Sequence, residues 1–174
     1  MKSPFDMPPL PAALQARDVT VRTIEDGDTA LLTQWHAAFR GASFLAMGWS
    51  QAQVAAMMAD QFRLQQIHIA SAYPEADRWL VLAGSVPAGQ LLLDRARDDW
   101  RLIDLLLAPE ARGLGLGIGL MTWIKDAAAQ AGAASITLDV GFDNAPAQAL
   151  YRKAGFVEAP SETEIAVAMR WRPA

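Results

Sequence analysis

The sequence predicts one mixed α/β layer domain. Three observations carry this expectation. The chain has 174 residues, enough for one good core and short for two ordinary domains. Its hydrophobic fraction of 52% beside 20% charged residues is that of a globular chain rather than a disordered one. Segments with apolar residues at a period of two alternate with segments at helical period, in the order β-α-α-β-β-β-α-β-α-β.

Residues 1–17 are set apart by Pro4, Pro8, Pro9 and Pro11 and read as an extended arm that packs on or trails from the domain, which occupies residues 18–174. "VTVRTI" (19–24) alternates β-branched and polar residues, as a strand does. Asp26 or Asp28 can cap a helix that carries Leu31, Leu32, Trp35, Ala38 and Phe39 on one face. A second helix opens at Ser50, runs through Val54, Met57, Met58, Phe62 and Ile69, and stops before Tyr73-Pro74, because a residue preceding proline disfavours helical backbone. From Arg78 onward, "RWLVLAG", "GQLLLDRA" and "RLIDLLLA" read as three strands joined by turns at "SVPAG" and "RDDW", with leucine runs that indicate burial on both faces. "LMTWIKDAAAQAG" is a helix ended by Gly132. "SITLDVGF" is a strand, and "NAPAQALYRKAG" is a short helix with Asn144 at its start, Pro146 in its first turn and Gly155 beyond its end. "TEIAVAMRW" alternates as the last strand, and no internal repeat is visible.

Composition removes several functions. A net charge of -4 and the lack of long basic runs argue against nucleic acid and anionic membranes as partners, and fit a neutral or cationic substrate better. The chain has no cysteine, which excludes disulfides, thiolate nucleophiles and Cys-based zinc sites. His36 and His68 are distant in sequence and read as surface or core residues of helices, so no metal site is expected. "MKSPFDMPPLPAAL" lacks the apolar core of about 7–15 residues that a signal peptide needs. No apolar run reaches the roughly 18 residues of a membrane span, and a cytoplasmic protein is expected.

The informative stretch is "RGLGLGIGLM", with Gly113, Gly115, Gly117 and Gly119 at alternate positions. Each glycine inside a helix costs roughly 1 kcal/mol relative to alanine, so their presence needs a reason. Glycines between a strand and a helix let backbone N–H groups approach an anion at the helix start, which makes phosphate the first candidate ligand. The dinucleotide spacing G-x-G-x-x-G fails, since the third glycine would fall on Ile118, Leu120 or Thr122. The nucleotide P-loop also fails, because no Gly-Lys pair exists, and a nucleotide-binding domain drops out with it.

The spacing that does fit is R-x-x-G-x-G at Arg112, Gly115 and Gly117. With it the sequence resembles the GNAT superfamily of N-acetyltransferases. "LLLAPEARG" resembles the strand that precedes that family's loop, with Leu107 where valine often stands, and "NAPAQALYRKAGF" matches its second motif at Asn144, Ala147, Leu150, Tyr151, Gly155 and Phe156. The resemblance spans roughly Val19 to Trp171 and is strongest from Asp104 to Phe156. It implies a mixed, mostly antiparallel central sheet with helices on both faces, and acetyl-CoA as co-substrate.

The resemblance also implies roles. The main chain of Gly113, Leu114, Gly115, Leu116 and Gly117 would cradle the coenzyme A diphosphate, with Arg112 shaping the loop and reaching a phosphate, or only bracing the turn. Gly119 lies one turn inside, where close packing of the helix on the sheet is the simpler explanation. Leu105, Leu106 and Leu107 would splay from the neighbouring strand, leaving main-chain groups for the pantetheine amides and the thioester carbonyl. Tyr151 stands where the family commonly has the acid that protonates the departing thiolate; packing is its structural alternative. Asn144 contacts the cofactor or caps its helix. Two carboxylates are candidates for the base or the amine-binding group. Asp139 stands where ribosomal-protein alanine acetyltransferases carry a catalytic glutamate, one methylene longer. Asp104 interrupts an apolar strand and needs a reason to be there, catalytic or structural. Trp35, Phe39, Phe44, Met47 and Trp49 line an acceptor pocket or form ordinary core. The expected reaction is acetylation of a primary amine on a small molecule or protein N-terminus by direct attack in a ternary complex. A non-catalytic acyl-CoA sensor is the alternative, and a homodimer is compatible with the family.

Overall fold

In the computed structural model, which describes residues 6–161 and 164–173, the chain divides into two compact units, residues 24–74 and the remainder. The remainder holds a seven-stranded sheet in the order β1-β2-β3-β4-β5-β7-β6. Its strands are β1 (Val19–Thr23), β2 (Asp77–Ala83), β3 (Val86–Asp94), β4 (Asp99–Leu107), β5 (Ser135–Gly141), β6 (Val157–Ala159) and β7 (Ala166–Trp171). Every neighbouring pair is antiparallel except β4 with β5, as the mostly antiparallel sheet predicts. The leucine run of β3 behaves as expected of a strand covered on both faces, with Leu91, Leu92 and Leu93 all buried, whereas Leu105, Leu106 and Leu107 of β4 are only half-buried.

The order differs from expectation in its small pieces. The arm is not wholly extended, since Ala12–Gln15 form one helical turn, α1. A short strand, β6, separates the last helix from the last long strand. Val86–Gly89, read as turn, already belong to β3, leaving Gly84-Ser85 to reverse the chain. Residues 1–5 of the arm and Thr163 of the last predicted strand lie outside the described residues.

Two helices belong to the sheet unit. Helix α5 (Leu116–Ala131) starts four residues earlier than the sequence indicates, within the glycine segment, because Gly119 N–H already bonds the Gly115 carbonyl at 3.1 Å. Leu116, Leu120, Met121, Trp123, Ile124, Ala127 and Ala128 form its buried stripe at helical spacing. Trp123 meets Trp79 of β2 with ring centroids 5.3 Å apart. Helix α6 (Ala145–Lys153) is capped by Asn144, whose side-chain oxygen accepts from Ala147 N–H at 3.2 Å.

Within residues 24–74 lie α2 (Thr29–Arg40), α3 (Ala42–Ala46) and α4 (Gln51–Ala72). Ser50 and Gln53 close a reciprocal capping box at the start of α4, as its position before the helix implied. Asp28 does precede α2, but its carboxylate accepts from the Glu25 N–H at 2.8 Å, closing a preceding 3-10 turn instead of capping the helix. The expected apolar stripe of α2 is rotated: Leu32 and His36 are buried, while Ala38 and Phe39 are exposed. Among the described residues no helix is long and apolar enough to cross a membrane.

Candidate active site at the parted strands

The parallel contact of β4 with β5 is short. Asp99, Trp100 and Arg101 pair with Ser135, Ile136 and Thr137, and the ladder ends there although both strands continue, β4 to Leu107 and β5 to Gly141. The joined end is pinned by side chains: Ser135 Oγ donates to the Asp99 carboxylate, and Thr137 Oγ1 donates to the Trp100 carbonyl at 3.2 Å. Immediately beyond, the register of β4 against β3 slips. Leu93 faces Leu102 and Leu92 faces Asp104, so Ile103 is an extra residue. Such a bulge bends the strand and raises its twist, which turns β4 away from β5 where the ladder stops. Leu105, Leu106 and Leu107 lie on this parted stretch, in the place the resemblance gave them.

The bulge also changes which face each side chain takes. Asp104 shares a face with Leu92 and, diagonally, with the buried Gln90, whose Nε2 donates to the Asp104 carboxylate. Gln90 had no place in the sequence reading; the polar interruption of "GQLLLD" was its signal.

At the end of β4, Pro109–Ala111 make a 3-10 turn and lead to the glycine loop. Arg112 Nε donates to the Leu107 carbonyl at 3.0 Å, bracing the loop against the strand. Gly113 and Gly115 hold φ of +71° and +79°, and Leu114 between them is not left-handed. Alternating backbone handedness of this kind turns successive N–H groups to one side and makes a concavity that suits an anion. The loop runs directly into the first turn of α5, whose leading N–H groups have no intrahelical acceptor and favour negative charge. A Cβ on Gly113 would meet nothing within 4 Å, so backbone handedness alone requires that glycine.

The other two glycines serve packing. A Cβ on Gly117 would stand 3.0 Å from Leu150 and 3.5 Å from Leu107, so Gly117 lets α5 close on α6 and β4. Gly119 does not face the sheet as expected; a Cβ there would lie 2.7 Å from Leu14 of the arm. Leu114 is exposed and Leu116 is buried in the helix start.

Helix α6 is tied to the end of β5 and packs on the start of α5. Gln148 Nε2 donates to the carbonyls of Gly141 and Phe142 at 2.9 and 3.2 Å, tying it to the end of β5, while Leu150 packs against Gly117 at the start of α5. Tyr151, next in sequence, is 7% exposed and packs on Phe156. Burial, and after it the charge of Asp104, push the Tyr151 phenol above the usual tyrosine range. The two groups are therefore near enough to interact, and the phenol keeps its proton throughout the neutral range.

Asp139 stands across the gap, on the parted stretch of β5 and on the sheet face that the bulge gives Asp104. It projects from β5 on the side where Arg101 of β4 pairs with its carboxylate, and its side chain is 44% exposed. The site thus gathers Asp104, Leu105–Leu107, the loop from Arg112 to Gly117, and Tyr151, with Asp139 across the gap and Asn144 supporting α6. Asp139 is held by a cation that sequence reasoning missed. Among the described residues no group of three or more His, Asp or Glu is placed to hold a metal ion.

Solved structures share this architecture. PaiA N-acetyltransferase from Thermoplasma acidophilum, in complex with coenzyme A, superposes with a TM-score of 0.67 at 17% identity, covering 89% of this chain and 99% of that one. The spermidine N-acetyltransferase from Vibrio cholerae, in complex with CoA and spermine, gives 0.61 at 20% identity over 88% and 95%. Ard1 from Thermoplasma volcanium gives 0.61 at 17% identity over 88% and 97%. At these identities the likeness is one of fold. The sequence carries more, because residues 33–156 match the model of the acetyltransferase (GNAT) family, and the chain belongs to that family.

Proposed function

We propose that the protein is an N-acetyltransferase that moves the acetyl group of acetyl-CoA to a primary amine of a small molecule or a protein N-terminus, by direct attack with both substrates bound. The observation that carries this reading is the parting of β4 from β5 beyond Arg101, with Asp104 on the parted stretch and the left-handed glycine loop at its end. A sensor of acyl-CoA has no need of a carboxylate on the parted strand facing a buried phenol-bearing helix.

Each residue has a task in this reading. The N–H groups of Gly113–Gly117 hold the diphosphate, and Arg112 keeps the loop on the end of β4. The main chain of Leu105–Leu107 receives the pantetheine amides, and an N–H there meets the charge that develops on the thioester oxygen. Acetyl-CoA supplies the acetyl group as an activated thioester. Asp104, oriented by Gln90, draws the amine in and takes the proton it must lose. Tyr151 gives a proton to the departing thiolate, whose conjugate acid has an ordinary pKa near 8.5. One proton leaves nitrogen and one reaches sulfur, so the reaction balances, and exchange with water restores both side chains. Asn144 acts as a cap that fixes α6 and with it Tyr151. Asp139 is already engaged by Arg101, which makes Asp104 the stronger choice of base. The family match begins at residue 33 and ends at 156, across both units, which supports reading residues 18–174 as one catalytic domain with the arm as an appendage.

The test is calorimetric titration with acetyl-CoA, followed by thiol release over a panel of amines. Spermidine heads the panel because the Vibrio cholerae neighbour is named for it, and a peptide with a free N-terminus stands beside it. Micromolar binding with thiol release on one amine class is the expected result. Binding without release on any amine would move the protein to the sensor class, and no binding would defeat the reading.

A further inference from the structure

We propose that Arg17, carried by the amino-terminal arm, contacts the coenzyme A diphosphate, so that the arm forms a wall of the cofactor site. The inference rests on the acetyl-CoA reading above and adds a residue that lies outside the family match at 33–156.

The arm is fixed along α5 at three levels. The Pro8 carbonyl accepts from Trp123 Nε1 at 2.7 Å. One level nearer the helix start, Leu14 is buried over Gly119, in space that any larger residue would occupy. At the loop itself, Arg17 Nη1 donates to the carbonyl of Leu114 and stands 3.7 Å from where a Cβ on Gly115 would be. The arm therefore descends α5 toward its N-terminus and delivers a guanidinium to the anion-binding concavity.

Its exit is held as firmly. Asp18 has a φ of 54°, a left-handed conformation that residues with a Cβ rarely adopt. Asp18 N–H donates to the Gln15 carbonyl at 2.9 Å, and its own carbonyl accepts from Gly84 N–H at 2.8 Å. Held from both sides, this turn sends the chain into β1 and leaves Arg17 on the loop.

The chemistry fits a phosphate. Guanidinium presents a planar fork of N–H donors that matches phosphate oxygens and cannot lose its charge at neutral pH. One donor is given to Leu114, which holds the fork in place, while the side chain remains exposed. Arg112, the cation of the family motif, has its Nε turned back to the Leu107 carbonyl. Arg17 thus adds a second positive charge at the loop, beside Leu114 and Gly115.

The test compares Kd values for coenzyme A and for dephospho-coenzyme A, which keeps the diphosphate and lacks the 3′-phosphate. In the full chain, Arg17→Ala is expected to weaken both ligands by the same factor, about tenfold or more at low salt, with a shallower dependence of Kd on ionic strength. KM for acetyl-CoA should rise while kcat at saturation is unchanged. Arg17→Gln, able to donate to Leu114 without charge, should not restore affinity, and Arg17→Lys should restore part of it. The comparison of Gln with Lys decides the matter even if the alanine variant folds poorly. Wild-type affinity in Arg17→Ala, a loss confined to coenzyme A, or rescue by Arg17→Gln would overturn the proposal, the last because it reduces Arg17 to a brace. Failure of the wild-type chain to bind either ligand would instead defeat the acetyl-CoA reading itself.

Discussion

The stretch from Asp104 to Gly117 and the helical unit from Ile24 to Pro74 recognise their surroundings by different means. The first works through backbone: a bulge at Ile103, a ladder that stops at Arg101, and left-handed glycines at 113 and 115. The second works through side chains, with His36 buried against Phe62, Phe44 against Trp49, and Met47 and Trp49 turned outward. Backbone recognition depends on where the chain can bend, so it leaves a spacing that survives in the sequence. Side-chain recognition leaves only a composition, which a core residue and a pocket residue share.

The sharpest way to break this contrast is at Asp104, the base proposed above. Asp104→Asn should lower kcat by about three orders of magnitude while leaving the Kd of acetyl-CoA unchanged, if a positioned base is lost and the backbone cradle is intact. Asp139→Asn, which removes one partner of an exposed ion pair, should change kcat less than about fivefold. Steady-state kinetics beside calorimetry measures both, and the reverse order would hand the base to Asp139.

Next in size, Tyr151→Phe should lower kcat by roughly a hundredfold with little effect on cofactor affinity. The phenol is raised above its ordinary pKa of 10.0, so it retains its proton as pH climbs past that value. The kcat profile should therefore show no falling limb from this group up to about pH 10. Because the chain has only two tyrosines, ultraviolet titration can follow the phenol directly, and Asp104→Asn should bring its transition down.

Gly115→Val should weaken acetyl-CoA by about tenfold, since a left-handed backbone costs a residue with a Cβ roughly 1–2 kcal/mol. Unchanged binding would remove the loop from the cofactor site. The smallest effect belongs to the helical unit. Burial, then the charge of Arg40, lower His36 from its ordinary pKa of 6.5, so the unfolded chain takes up the proton first as pH falls. Stability is then complete above about pH 6.5 and is lost on acidification through the lowered folded pKa. His36→Leu should reduce that acid sensitivity, read as a fall in melting temperature of a few degrees in the wild type only.

What could be read in advance follows the same division. The leucine runs of β3 and β4, the ends of α4 and α6, and the loop from Arg112 to Gly117 rest on local chemistry and are visible in order along the chain. The pairings Gln90 with Asp104 and Arg101 with Asp139 join residues 14 and 38 positions apart, and nothing local marks either. The bulge at Ile103 has no compositional sign, yet it decides which face Asp104 takes. Alternation carried from Trp100 through β4 would have put that carboxylate on the wrong side. Phe39 faces out and His36 in because three-dimensional packing, rather than hydrophobicity alone, rotates α2.

The early end of the β4–β5 ladder carries a cost beyond catalysis. It gives the sheet an inner rim, with the same thirst for hydrogen bonds as an outermost strand and the same invitation to a stray peptide. Pantetheine, with its two amides, would act there as a partial eighth strand. Bound cofactor should then slow amide exchange along residues 104–107 and suppress aggregation, making the resting protein safest when its substrate is already in place.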